Sequence, residues 1–217
     1  MTKYINFSIH PEGFGFAALA ILISLGLALL HPILGGVGGL ISIWVLYFFR
    51  DPLRVPPKRP SIVSAGDGIV VAVQENATLP GEIESEEKLW TRVSVFLNIF
   101  DVHINRIPVT GHVKKVYYHK GQFLNASFDK ASELNERNSL VIQTEAGHQI
   151  VCTQIAGFIA RRIRCDVKPG DFVTCGQKYG LIRFGSRMDV YLPEGVVPRV
   201  EKGQRMIAGE TVLAEYP

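Results

Sequence analysis

From Phe14 to Phe49 the chain carries no Asp, Glu, Lys or Arg, and a soluble fold of 217 residues has little room to bury so long an apolar stretch. His31-Pro32 splits it into two apolar runs of equal length, 14–30 and 33–49. At 1.5 Å per residue each run spans about 25 Å, the short end of what a bilayer core requires. Pro32 interrupts any continuous helix, and Gly35, Gly36, Gly38 and Gly39 allow close packing of the second run. A signal peptide would have a shorter apolar region, a small-residue cleavage site and more basic charge in front than Lys3. A buried soluble hairpin would show a polar face, which neither run has. The expectation is a hydrophobic helical hairpin over residues 1–49 that enters the lipid bilayer.

The next ten residues set its orientation. Arg50, Arg54, Lys58 and Arg59 against Asp51 give +3, the whole formal net charge of the chain. Positive charge beside a membrane segment marks the cytoplasmic side and attracts anionic headgroups. A hairpin then leaves both its ends in the cytosol, so the expected location is the cytoplasmic membrane with the remaining chain facing the cytosol. Residues 60–217 balance at 18 basic against 18 acidic, which argues against nucleic acid as a partner. Pro56, Pro57 and Pro60 make residues 50–60 read as a stiff basic linker to a domain over 61–217. Cys152, Cys165 and Cys175 form no C-x-x-C, and His10, His31, His112, His119 and His148 show no ligand spacing, so neither a disulfide framework nor a metal is expected.

Beyond Pro60 the apolar pattern has short period with frequent Gly. The candidate strands are 69–74, 90–97, 111–119, 139–144, 149–156, 161–165, 172–175, 179–183, 189–192 and 212–215. Short helices are expected at 98–102 and 128–134. So many strands at this spacing predict a mainly β domain of sandwich or barrel-sandwich type. An internal repeat supports it: Val167-Lys-Pro-Gly170 followed by Gly176 matches Val200-Glu-Lys-Gly203 followed by Gly209, with the same spacing inside each copy. Such glycines supply positive φ in hairpin turns.

The segment Ile182-Arg-Phe-Gly-Ser186-Arg-Met-Asp-Val-Tyr-Leu-Pro193 interrupts one apolar strand with Gly-Ser and resumes as another. An arbitrary Gly-Ser is far more often a hairpin turn than anything else. The chemical alternative is attack of the Ser186 hydroxyl on the unhindered Gly185 carbonyl, converting the peptide to an ester. Elimination across the serine Cα–Cβ bond releases the upstream chain. Hydrolysis of the resulting dehydroalanine leaves a pyruvoyl ketone, so that the chain makes its own carbonyl cofactor without pyridoxal phosphate.

The sequence resembles the phosphatidylserine decarboxylase proenzymes of the short bacterial and archaeal type. The matching blocks are Phe48-Phe-Arg-Asp-Pro52, Ala65-Gly-Asp-Gly68, Phe96-Leu-Asn-Ile-Phe-Asp-Val-His103 with Asn105-Arg-Ile-Pro108, Gly121-Gln-Phe123, Asn135-Glu-Arg-Asn138, Gln154-Ile-Ala-Gly-Phe-Ile-Ala-Arg-Arg162 and Phe184-Gly-Ser-Arg187. The resemblance implies cleavage between Gly185 and Ser186 into a β chain, 1–185, and an α chain, 186–217. Residue 186 would become the pyruvoyl group that forms a Schiff base with the serine headgroup of phosphatidylserine and takes up the electrons freed when CO2 departs. It further implies His103 as the acid–base residue, Asp67 as an acid serving self-cleavage, and Asp101 as a third catalytic candidate. Without the resemblance, Asp67-Gly68 reads as a turn and Asp101 as a helix end. The family commonly forms dimers, which points to a homodimer.

Longer relatives carry a second histidine three residues after the first, where this chain has Arg106. Either His103 alone activates the serine, or Arg106 contributes charge. For the substrate phosphodiester the candidates are Arg162 and Arg187, through the bidentate arginine fork, with a salt-bridged strand face as the plain alternative. Two other functions fit parts of the pattern. An archaetidylserine decarboxylase would share the headgroup chemistry, and a membrane-tethered barrel-sandwich adaptor would share the anchor and the glycine repeat.

Overall fold

The computed structural model describes residues 7–85, 89–122, 134–157, 162–183 and 185–216, in two compact units that divide between Leu53 and Arg54. The first unit consists of β1 (Phe7–Ile9), α1 (Pro11–Leu30), α2 (Pro32–Phe48) and β2 (Arg50–Pro52). Both helices start on proline, where the missing N–H costs nothing, and the His10 and His31 Nδ1 atoms cap them by accepting from Glu12 and Ile33 N–H. The glycines of α2 permit close contact: a Cβ on Gly35 would lie 2.4 Å from Ala28 Cβ, and one on Gly38 would lie 2.8 Å from Ser24 Cβ. Ser24 Oγ then donates to the Gly35 carbonyl at 2.9 Å. Leu22, Leu25, Leu29, Ile33, Leu40 and Ile43 point outward, so the apolar character is spent on the surface and not on a core. Among the described residues α1 is long and apolar enough to cross a membrane, while α2 is shorter by about one turn.

The second unit contains β3 (Ser61–Val63), β4 (Gly68–Ala77), β5 (Trp90–Leu97), β6 (Ile104–Arg106), β7 (Gly111–His119), β8 (Arg137–Gln143), β9 (Gln149–Ala156), β10 (Ile163–Cys165), β11 (Phe172–Val173), β12 (Lys178–Ile182), β13 (Ser186–Pro193), β14 (Arg205–Met206) and β15 (Val212–Glu215). Eight of them form one curled antiparallel sheet in the order β11-β7-β8-β9-β13-β5-β4-β14. β3 pairs with β15, and β6 with β12, which also pairs with β10. The domain is mainly β, as the strand spacing predicts. Residues 98–102 are not a helix: one turn closes there when Asp101 N–H donates to Asn98 O, and the chain leaves at once for β6. The other expected helix, 128–134, lies outside the described residues but for Leu134. Residues 50–60 divide between the units. Arg50–Pro52 pairs with β1, whereas Val55 N–H donates to Glu210 and Pro56 packs on Gly176.

The glycine repeat marks a pseudo-twofold. Gly170 and Gly203 have φ of 94° and 95°, and Gly176 and Gly209 have 79° and 77°. Their N–H groups bond in parallel: Gly170 to Val113 O and Gly203 to Val70 O, Gly176 to Ile107 O and Gly209 to Ser64 O. The pairing of β11 with β7 repeats in that of β14 with β4, with Val173 opposite Gly111 and Met206 opposite Gly68. One half is therefore β3–β5 with β13–β15, and the other, β6–β12, is inserted between β5 and β13. The halves meet where β9 pairs with β13 at the centre of the sheet. The chain passes between halves twice, from β5 to β6 and from β12 to β13.

Both faces of the sheet are covered around β13, and every residue of that strand is buried. Met188, Val190 and Leu192 join Ile62, Leu97, Ile107, Leu140 and Cys152 in the main core. Tyr191 joins Trp90, Val141 and Val151 on the other face. The three cysteines are free, and burial pushes the Cys152 thiol up to about 12 and that of Cys175 up to about 11.

Candidate active site

The two passages between halves meet at the Gly-Ser pair. Ser186 opens β13, opposite Leu97 of β5 and Ala156 of β9, with its side chain on the face of Met188 and Val190. It is fully buried, and its hydroxyl has no hydrogen-bond partner among the described residues. Such an orphan normally costs about 1–3 kcal/mol, so its persistence asks for a reason beyond packing. Gly185 precedes it at φ 73°, a left-handed conformation in which any side chain would be strained. Gly185 N–H donates to His103 Nε2 at 3.1 Å.

The ring of His103 is fully buried, and its Nδ1 lies 3.0 Å from the Asp101 main-chain oxygen. A carbonyl can only accept, so Nδ1 carries the proton and Nε2 presents its lone pair to Gly185. Asp101 thus orients the imidazole through its backbone. Its carboxylate accepts from Asn98 N–H at 2.9 Å and pairs with Arg205, which fixes the turn. Asp67 sits on a loop pressed against the same strands. A Cβ on Gly66 would lie 2.8 Å from Met188 Cγ, and one on Gly68 would lie 2.0 Å from Phe96 O, so only glycine fits on either side. The Asp67 carboxylate accepts from Ala208 N–H at 2.8 Å and from Arg54 at 2.7 Å. His103, Gly185 and Ser186 are thereby brought together, with Asp101 behind the ring and Asp67 on the adjoining loop.

The arginines have separate fates. Arg106 Nη1 donates to Gly176 O at 2.9 Å and its stem is pressed against Gly209, tying the two repeat turns together. Arg162 is exposed, just before β10. Arg187 lies on the sheet face opposite to the Ser186 side chain, fully buried, with Nε and Nη2 each 2.7 Å from the Asp189 carboxylate. Removing one member of so dry a pair strands the other charge. Asp189→Ala is expected to lower stability by about 3–5 kcal/mol in a urea titration, and Arg187→Leu with Asp189→Leu to recover most of it. Equal stability of the single variant and the wild type would show that the pair is not isolated from solvent.

A row of buried amides lies at this end of the core, from residues that the matching sequence blocks contain but give no role. Asn138 Nδ2 donates to Gln154 Oε1 at 2.9 Å, Gln154 Nε2 to Asn105 Oδ1 at 2.8 Å, and Asn135 Nδ2 to Ala156 O at 2.7 Å. The available signal is polar residues at positions where strand alternation calls for apolar ones. Among the described residues no three His, Cys, Asp or Glu side chains are placed to hold a metal. The site offers a dry hydroxyl, a conformationally special glycine before it and a neutral imidazole in contact with that glycine. This set suits acyl transfer within the chain and subsequent proton transfer.

A family profile described as "Phosphatidylserine decarboxylase" matches residues 41–214. The phosphatidylserine decarboxylase proenzyme of Ruegeria pomeroyi is 50% identical over 207 residues, covering 95% of this chain and 94% of the relative. That of Cereibacter sphaeroides is 52% identical over 207 residues, covering 95% and 89%. That of Rickettsia akari is 47% identical over 209 residues, covering 96% and 90%.

Proposed function

The chain belongs to the phosphatidylserine decarboxylase family, and on that premise we propose that it is a membrane-anchored proenzyme that cuts itself between Gly185 and Ser186 and converts phosphatidylserine to phosphatidylethanolamine and CO2. The observation that carries the site assignment is the buried, partnerless Ser186 hydroxyl directly after a left-handed Gly185 held by His103. A pyruvoyl group at residue 186 suits this position, and when formed it supplies an electron sink for loss of CO2.

The chain's own residues then have distinct work. Gly185 leaves its carbonyl open to attack, because no side chain stands beside it. His103 Nε2 holds the glycine N–H in the precursor, beside the Gly185-Ser186 peptide, and is the base assigned to the Ser186 hydroxyl proton. The Asp101 carbonyl keeps the ring in the tautomer that can accept. Asp67 and Arg54 brace the loop against the strand that pairs with Ser186. Exposed Arg162 is the candidate for the substrate phosphodiester. α1 and α2 supply the membrane anchor, with the basic residues 50–59 on the cytosolic side. Family membership sets aside the non-enzymatic adaptor.

The test is conversion of dioleoyl phosphatidylserine, and of its ether-linked analogue, by the detergent-solubilised chain, with the product lipid and CO2 quantified. Phosphatidylethanolamine and CO2 in equal amounts are expected from the ester lipid. Folded, self-cleaved protein that yields neither would overturn the proposal, and turnover of the ether lipid alone would reassign the substrate.

A further inference from the structure

A cavity of about 600 Å³ opens elsewhere in the second unit, among residues 57–61, Val109, Thr110, the 144–148 hairpin, Cys175 and Tyr216. Its lining includes neither His103, Gly185 nor Ser186. The pseudo-twofold explains its place. At the reacting end, Asp67 accepts from Ala208 N–H at 2.8 Å. In the other half the equivalent positions are Thr110 and Cys175, and Thr110 Oγ1 accepts from Cys175 N–H at 3.0 Å. The cavity is thus the counterpart of the Asp67 corner, with a neutral hydroxyl in place of the carboxylate.

Its chemistry has changed to match. Lys58, Arg59 and His148 stand around it against one acid, Glu145, while Pro57, Pro60 and Val109 give apolar wall. The Tyr216 ring stacks on His148 at 5.5 Å and 26°, and its hydroxyl is buried without a partner among the described residues. Burial raises the pKa of that phenol, and its ring forms part of the wall. The Lys58 and Arg59 cations, the Thr110 hydroxyl and an apolar wall together fit a phosphate attached to a glycerol and the first carbons of its chains.

We propose that this cavity binds the phosphate-bearing headgroup of an anionic phospholipid, at a site separate from the reacting serine. The full-length protein in dodecyl maltoside would be titrated calorimetrically with dihexanoyl phosphatidylglycerol, dihexanoyl phosphatidylcholine and inorganic phosphate. Saturable binding of phosphatidylglycerol is expected, at least about ten-fold weaker for phosphatidylcholine and for phosphate. Lys58→Ala with Arg59→Ala, both exposed positions, should weaken it by at least about ten-fold. Decarboxylation of soluble dihexanoyl phosphatidylserine should be unchanged in the double variant. Equal phosphatidylglycerol affinity in the wild type and the double variant would overturn the proposal. So would equal affinity for phosphatidylcholine, or for phosphate, which would mean that no anionic lipid is selected. Binding is read without turnover, so a failed decarboxylation assay and a failed titration remain distinguishable.

Discussion

Ser186→Ala should leave one 24.0 kDa chain under denaturing conditions, where the wild type is expected to resolve into two, 1–185 and 186–217. The expectation rests on the hydroxyl being the attacking group, and the structure makes the substitution unusually clean. Alanine fits the same strand position, removes no hydrogen bond and relieves a buried polar atom of its desolvation. The thermal midpoint should therefore hold or rise while cleavage disappears. Intact mass spectrometry decides it, with the shorter wild-type chain blocked at its N-terminus as an α-keto acyl group. Cleavage persisting between residues 185 and 186 in the alanine variant would end the self-processing mechanism for this chain.

His103→Gln should slow self-cleavage by about 10²–10⁴-fold, the usual worth of a positioned acid–base group. Glutamine can still bond to Gly185 N–H through its carbonyl oxygen, but it cannot carry a proton away. His103→Ala also loses the hydrogen bond, leaves a half-buried donor unmet and empties a fully buried ring site, and it should cost about 1–3 kcal/mol of stability as well. Comparing the two separates holding from proton transfer. Wild-type cleavage kinetics in the glutamine variant would reduce His103 to a strut.

Much of this arrangement is legible in the sequence alone. The strands 90–97, 111–119, 149–156 and 212–215 match the observed bounds because each is well alternated or flanked by turn residues. The strands that the pattern does not show, such as β3, β6 and β14, have two or three residues and exist only through their partners. Alternation places β13 only at 189–192, because Arg187 beside Gly185-Ser186 looks like a surface residue in sequence, yet the strand extends back to Ser186 and pairs Arg187 with Asp189. They neutralise each other two positions apart on one face, a device that alternation alone does not reveal. The glycine repeat is visible in the matched spacing of its two copies. Its meaning is not, because the strands on the other side of each turn repeat at a different offset, Val70 with Val113, without a motif to mark them. Likewise the motif blocks point to His103 and Ser186, whereas the choice of a backbone carbonyl to orient the ring is a matter of three-dimensional path.

The insertion of one half into the other gives the proposed cut between Gly185 and Ser186 a thermodynamic sequel. Before cleavage, β5 and β13 belong to one chain and refolding is unimolecular. Afterwards the half built from β3–β5 and β13–β15 is shared between two molecules, which β13 holds together by pairing with β5 on one side and β9 on the other. Once denatured, the longer chain of the processed protein must find its short partner, 186–217, by diffusion. Recovery should then depend on concentration, and the mature form persists through the height of its unfolding barrier, while the Ser186→Ala precursor refolds at any dilution.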